Sequence, residues 1–539
     1  MTTLRDWRGC TDELRRMGVT LPGEASAAAR AAGARQPRWV HVGGGNLYRA
    51  FHAVVAQDLI DAGLLDRGVG VLELRRPFMC DKVYAPYNQD LLQVVMPAEG
   101  GLRERVVSST ALDVFANPAN PAGWELARDW FASPDLQLVT VTITEKGYAV
   151  ADGTGALLPA VAADVEVGPA APQTAMGILA SLLLARFEAG AAPVAMVTTD
   201  NFSRNGEHFR DTVLTLVRGW AEHGHVGDDF LSWVADERCV SFPWTMIDRI
   251  TPAPSPEVAQ TLADEGWEDL GLIDAGRGAH AAGFANTEEA HYLVVEDSFP
   301  NGRPPLEEAG VIMCDRQTAE RADTMKVTAC LNPLHTTLAV YGCLLGYTRI
   351  WQEMENPDLA ALVRRLGYEE DLPVVVDPGV IDPAAFLDEL LGRRLPNRAL
   401  PDAPQRIATD TSQKVPVRFG HTLRAYVETG RSVEGLVCIP LAIAGWLRYL
   451  VAVDDAGKAF EPSSDPRLAE LQAHLAGVTL GRADATLVHA ACQPILADKC
   501  LFGVDLYECG LGSKVEAMLL EELAGPGAVA ATIARYVRA

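Results

Sequence analysis

The chain of 539 residues contains no run of about 18 uncharged apolar residues, so no stretch of it reads as a membrane-spanning helix. Its first 30 residues mix charged and polar side chains at close intervals and lack the apolar core of a secretory signal. The ten cysteines stand singly, with no CxxC pair and no Cys/His cluster at ligand spacing, which argues against a structural or catalytic zinc and leaves no expected metal. Positive charge is also short. Against 71 Asp and Glu there are 46 Lys and Arg, a net charge of −25, which opposes general binding to nucleic acid or an anionic membrane surface. A local group of Arg and Lys can still hold a small anion within that field. There is no internal repeat and no low-complexity tail. These absences leave a soluble, cytoplasmic protein acting on a small molecule, with no obligate protein partner.

What is present is an ordinary globular composition, 48% hydrophobic and 22% charged, at a length that calls for more than one core. From Arg38 the pattern runs strand, turn, helix: WVHV, then GGGN, then LYRAFHAVVAQDLIDAG with apolar residues at helical spacing. β-type runs follow at VGVLEL, LQLVTVTIT and VAMVTTDN, the last preceded by the helical stretch TAMGILASLLLARFEAG. Strands alternating with helices predict a parallel sheet covered on both faces. Beyond about residue 310 the character changes. HTTLAVYGCLLGY, LAALVRRLGY, AAFLDELLGRRL, VCIPLAIAGWLRYLVAV, RLAELQAHLAGV and VEAMLLEELAG are all helical by periodicity. The Pro/Gly-rich segment FPNGRPPLEEAG (299–310) is the expected crossing, giving an α/β domain over 1–310 and a mostly α-helical domain over 311–539.

Gly43, Gly44 and Gly45, between a strand and a helix, are the first functional signal. Glycines there let the backbone turn tightly and approach a pyrophosphate seated on the helix N-terminus, with Asn46 and Leu47 opening that helix. The G-x-G-x-x-G spacing would put a third small residue at 48, where this chain has Tyr48, so a purely structural turn competes with the nucleotide reading. Glu73, ending VGVLEL, suits an adenosine ribose and hence NAD, whereas Arg75 and Arg76 would suit the 2′-phosphate of NADP. Three other segments place polar residues at element ends. TDNFSRNGE (199–207) offers an asparagine amide to an oxyanion, or is a plain turn. FPWTMIDRITP (242–252) sets Asp248 beside Arg249, which a local ion pair also explains. QRIATDTSQKVP (405–416) carries Arg406 and Lys414, which a solvated basic face also explains. The stretch MKVTACLNPLHTT (325–337) crowds Lys326, Asn332, Pro333 and His335 onto the start of an apolar helix.

Together these segments resemble the polyol-specific long-chain dehydrogenases, which include mannitol dehydrogenases and the hexuronate (fructuronate and tagaturonate) reductases. The resemblance runs from about residue 38 to beyond 500 and rests on seven pieces in register: HVGGGNLYRAF, TITEKGY, TTDNFSRNGE, FPWTMIDRITP, EDSFPNGRPPLEEAGV, MKVTACLNPLHTTLAVYGCLLGY and QRIATDTSQKVP. It implies a Rossmann-type N-terminal domain, a mostly helical C-terminal domain, and metal-independent hydride transfer between NAD(P) and a carbinol or ketone carbon. By the same resemblance Lys326 is the general acid/base, Asn201 and Asn332 hold the substrate oxygen, and His335 orients the substrate. Asp248 lies near the substrate hydroxyls, and Arg406 and Lys414 meet its far end. The family pattern spaces its Lys and Asn five positions apart, and here they are six apart. One extra residue on a continuous helix would turn the lysine by about 100°, so the break before Pro333 is the expected place for it to be absorbed.

The chemistry suits these residue types. Hydride transfer needs a proton moved at the oxygen of the same carbon, and a lysine does this near neutral pH when burial and cations lower its pKa, commonly to about 7–8. Two carboxamides steady alkoxide character without neutralising the lysine. A neutral His335 in the first helical turn can donate to or accept from a sugar hydroxyl. Lys146 in EKGY and Arg204 beside Asn201 add positive charge and favour a carboxylate substrate. D-Fructuronate/D-mannonate therefore ranks ahead of fructose/mannitol or arabinitol/xylulose. A non-catalytic sugar or nucleotide sensor on the same fold is the remote alternative, opposed by the presence of Lys326, Asn332, His335 and Asn201 together.

Overall fold

A computed structural model describes residues 2–482 and 484–538. The chain forms two compact units, one comprising the residues up to Pro97 with Gly101–Glu320, the other Ala98–Gly100 with the chain from Arg321 onward.

The main sheet of the first unit has six strands: β1 (Trp39–Val42), β2 (Val69–Glu73), β3 (Thr110–Phe115), β4 (Leu138–Val141), β5 (Val194–Thr198) and β6 (Val240–Ser241). Their order is β3-β2-β1-β4-β5-β6 and every pairing is parallel. Parallel neighbours need long crossovers, which the helical stretches between the Val- and Leu-rich runs supply. β1, β4 and β5 are buried along their whole length, as continuous apolar strands covered on both faces should be. One face packs Trp130, Leu179, Leu182, Val213 and Trp220. The other packs Phe51, Val55, Leu59 and Ile60. Each such fully buried side chain contributes about 1.5–3 kcal/mol. The strand order reverses between β1 and β4, the doubly wound arrangement in which a crevice opens outside the strands' carboxyl ends.

Two smaller three-stranded sheets and a two-stranded one, Ile273–Gly276 paired antiparallel with Ala279–Ala281, accompany the main sheet. Leu91–Val95 pairs antiparallel with Arg103–Val107 and parallel with Phe284–Thr287. Tyr292–Glu296 pairs antiparallel with Thr245–Asp248 and parallel with Ile312–Cys314. The last pairing corrects the expected crossing at 299–310. The strand Ile312–Cys314 is hydrogen-bonded back into the first unit, so that segment is a loop within it, with a short 3₁₀ turn at Leu306–Ala309.

In the second unit the helical expectations hold, and among the described residues every strand of the chain lies at or before Cys314. The helix Cys438–Leu450 is buried at all thirteen positions, as a core helix is, and its one charged side chain, Arg448, donates to the Val453 and Asp454 carbonyls. The Glu370 carboxylate accepts from the backbone N–H groups of Val437, Cys438 and Ile439 at 2.6, 2.6 and 2.7 Å, placing negative charge at the positive end of that helix. The Tyr341 hydroxyl lies 2.6 Å from the Leu441 carbonyl and 2.7 Å from Glu522 Oε1. One hydroxyl proton cannot serve both, and burial pushes Glu522 up to about 8, so its carboxyl supplies the second proton.

Candidate active site

At the crevice, Gly43 has φ +96°, and a Cβ there would sit 2.2 Å from the Thr142 carbonyl oxygen, so only glycine fits. Gly44 is held from both sides: its N–H donates to Glu73 Oε1 at 2.8 Å and its carbonyl accepts from the Tyr84 hydroxyl at 2.7 Å. At Gly45 a Cβ would meet no atom within 4 Å, leaving the helix start open for a phosphate group to approach the backbone. Asn46 donates to the Pro252 carbonyl at 3.1 Å, and Leu47 packs at the edge of the core. The irregular position 48 also has a physical explanation. The helix is π-wound over Tyr48–His52, and the Tyr48 ring stacks on His41 at 4.5 Å while its hydroxyl meets Thr110 Oγ1 at 2.9 Å. A wider turn accepts a ring where an α-helix close to the strand would require a small residue.

A cleft of about 1090 Å³ opens here, lined by Gly43, Glu73, Arg75, Arg76, Thr144 and Lys146 among others. It sits at the carboxyl ends of β1, β2 and β4, and its size suits a dinucleotide. Burial pushes Glu73 up to about 7, against the pull of the Gly44 N–H and Arg76. Lys146 thus lines the same cleft as Glu73.

Thr144, on the same wall, has φ +69° and ψ 153°, a strained conformation for a residue with a side chain. It is held by Asp200, whose carboxylate accepts from the N–H groups of Ile143 and Thr144 at 2.8 and 2.9 Å and from the Tyr148 hydroxyl at 2.8 Å. In TDNFSRNGE the buried Asp200 is thus a clamp on the cleft wall, and Asn201 follows it at the surface. Arg204 is committed to Glu207 at 2.8 Å and lies over the Trp244 ring at 5.4 Å. Asp248 ends a buried strand. Its neighbour Arg249 turns to the Thr287 hydroxyl at 2.8 Å and the Glu288 carbonyl at 3.3 Å.

The second unit holds the remaining candidates. The helix Arg316–Met325 passes without a break into a π-wound turn, Lys326–Cys330, in which the Leu331 N–H bonds the Lys326 carbonyl at 3.1 Å. Leu331 then leaves helical geometry at φ −123°, and a new helix runs Asn332–Leu345 with Pro333 in its first turn. A π turn, one residue wider than an α turn, and the break at Leu331 thus both lie between Lys326 and Asn332. Lys326 is fully buried, with Nζ 3.8 Å from Asp323 Oδ1.

His335, 14% exposed, has Nε2 3.9 Å from Asp402 Oδ2. Burial holds it down at about 4, with Arg418, Arg394 and Arg406 acting the same way against Asp402, so the imidazole is neutral at physiological pH. The neutral state is as expected, but its causes are burial and three guanidinium groups. Arg406 pairs with Asp402 and keeps a side chain 70% exposed. Lys414 is held by backbone carbonyls. Its Nζ donates to the carbonyls of Ile407 and Thr409, and burial with Arg418 pulls it down to about 8. Arg418, unmarked in the sequence, is half-buried and donates to the Thr336 hydroxyl. Among the described residues no group of three or more His, Cys, Asp or Glu is placed to hold a metal ion.

The family models for the mannitol dehydrogenase Rossmann domain and the mannitol dehydrogenase C-terminal domain match residues 37–308 and 322–509. The chain belongs to the mannitol dehydrogenase family. It is an oxidoreductase of that family, and its two units carry the family's two domains. D-mannonate oxidoreductase of Thermotoga maritima is 46% identical over 505 residues, 93% of each chain. Mannitol 2-dehydrogenase of Phaeosphaeria nodorum is 30% identical over 504 residues, 92% of this chain and 81% of that one. Among solved structures, Pseudomonas fluorescens mannitol 2-dehydrogenase in a ternary complex with NAD and D-mannitol is 26% identical, with 97% of each chain covered and a TM-score of 0.72.

Proposed function

We propose that this mannitol dehydrogenase family member interconverts D-mannonate and its keto acid, D-fructuronate, with NAD as cofactor and without a metal. The observation that carries the substrate class is the 46% identity to a D-mannonate oxidoreductase across 93% of both chains. The guanidinium groups that act on a neutral His335 support it, since a hexonate brings a carboxylate that needs cations. NAD is supported by the NAD-bound relative and by Glu73 in the cleft, where an acidic residue suits a ribose hydroxyl.

Gly43, Gly44 and Gly45 would hold the pyrophosphate, and Glu73 and Arg75 the adenosine side. The nicotinamide, when bound, accepts or returns the hydride. Lys326 takes the proton of the carbinol hydroxyl at Nζ during oxidation and returns it during reduction. Asn332 donates its amide to that oxygen, and Asn201 is the second donor by resemblance to the family. A neutral His335 bonds a neighbouring hydroxyl. Asp248 would accept from further hydroxyls, and Arg406, the most exposed of the basic groups around His335, meets the carboxylate.

Arg406→Met tests the assignment of charge. Losing a charge-assisted bond of about 2 kcal/mol lowers kcat/KM for D-mannonate about 30-fold, while kcat/KM for D-mannitol stays within threefold and EDTA changes neither. Equal losses on both substrates would remove Arg406 from carboxylate recognition. The pairing of Arg406 with Asp402 favours a second reading, a neutral polyol dehydrogenase, in which that cation is already satisfied.

A further inference from the structure

The π-wound turn that carries Lys326 contains a backbone defect with a specific remedy. In the π register each carbonyl takes the N–H five residues on. The Leu331 N–H bonds the Lys326 carbonyl in this way, and at the same spacing the Thr328 carbonyl would face Pro333, which has no N–H to give. A buried carbonyl without a partner costs about 1–3 kcal/mol. The Thr422 hydroxyl, on the helix Gly420–Glu428, lies 3.2 Å from the Thr328 carbonyl oxygen. The same hydroxyl lies 3.1 Å from Oδ1 of Asp371, at the end of the π-wound turn Leu366–Asp371.

A threonine hydroxyl carries a single proton, so it cannot donate to a carbonyl and to a carboxylate at once. Both contacts are satisfied when the Asp371 carboxyl is protonated and donates to Thr422 Oγ1, freeing the Thr422 proton for Thr328. The surroundings favour that state. Asp371 is fully buried and its second oxygen, Oδ2, has no hydrogen-bond partner. An ionised carboxylate would be badly solvated there. Burial, reinforced by the neighbouring Glu370 charge, pushes Asp371 well above the usual carboxylate range.

We propose that Asp371 and Thr422 are positioning residues for the reaction: a relay from the Asp371 carboxyl through the Thr422 hydroxyl to the Thr328 carbonyl holds the turn Lys326–Cys330 in π form and so fixes where the lysine points. The proposal rests on Lys326 being the acid/base. Neither residue touches substrate.

The test uses the full chain with two readouts, amide exchange at residues 326–331 and the steady-state oxidation of D-mannonate with NAD. Thr422→Val speeds exchange of the Leu331 amide at least tenfold and lowers kcat about tenfold with KM for D-mannonate within twofold, because a misplaced acid/base costs the chemical step. Thr422→Ser keeps the hydroxyl and restores both readouts. Asp371→Asn, whose amide can still donate to Thr422, stays within threefold of the wild type, whereas Asp371→Leu behaves like Thr422→Val. Unchanged exchange in Thr422→Val, an equal defect in Thr422→Ser, or faster exchange with unchanged kcat would each overturn the relay. Lys326→Ala, measured alongside, isolates the premise. If that variant keeps turnover, the lysine assignment fails, while the exchange rates still report on the turn.

Discussion

Lys326→Ala retains NAD binding and loses about 10³-fold in kcat, the range of general acid–base catalysis by a positioned side chain. Cofactor affinity is expected to be unchanged because Lys326 acts on the substrate hydroxyl and is not among the residues that line the cleft with Gly43 and Glu73. The pH–rate profile sharpens the assignment. His335 is held near 4 by burial and three arginines, so its charging begins only well below neutrality and adds no limb near its ordinary value of 6.5. A pH dependence of kcat that the wild type shows and Lys326→Ala lacks then belongs to the lysine. Activity within tenfold of wild type with an unchanged profile would end the lysine's role.

Gly43→Ala is expected to be the most damaging substitution in the cofactor cleft. The added Cβ would lie 2.2 Å from the Thr142 carbonyl oxygen, and φ +96° strains any L side chain. The neighbouring backbone has no room to yield. The Gly43 N–H donates to the Leu72 carbonyl at 3.0 Å, its carbonyl meets His41 Nε2 at 3.1 Å, and the Thr142 N–H is bonded to Val42 at 2.9 Å. Strain and overpacking together come to about 3–5 kcal/mol of lost stability, with NAD affinity reduced more than tenfold. Urea unfolding and calorimetric titration with NAD measure the two effects. Gly45→Ala is the contrast, since its Cβ enters open space. Stability should change by less than about 1 kcal/mol there, consistent with an exposed helix start, while NAD binding weakens because the methyl group occupies the phosphate cradle.

The parallel sheet and the helical second half were legible because both depend on periodicity. Continuous Val- and Leu-rich runs between helical stretches have few other arrangements available to them. The strands at 91–107 and 284–296 escaped notice because each is short and belongs to a small side sheet, where pairing depends on distant partners. The π turns at Tyr48–His52 and Lys326–Cys330 were invisible in principle, since a single widened turn hardly alters apolar spacing. They nevertheless fall at the two places where the motifs departed from pattern, at Tyr48 and between Lys326 and Asn332. Residue type was also a poor guide to how a charge is spent. Lys414 serves two backbone carbonyls and Arg204 serves Glu207, while Arg418 and Asp371 take positions that only the tertiary fold defines. Asp200 illustrates the same limit, reading as a turn residue while clamping the strained wall at Thr144.

The account stands or falls most directly on substrate choice. NADH formation by the wild-type chain should be measured with D-mannonate and with D-mannitol at matched NAD concentration. A kcat/KM for D-mannonate about 100-fold or more above that for D-mannitol is the predicted result, equivalent to roughly 3 kcal/mol of carboxylate recognition. Equal values, or a preference for D-mannitol, would contradict it.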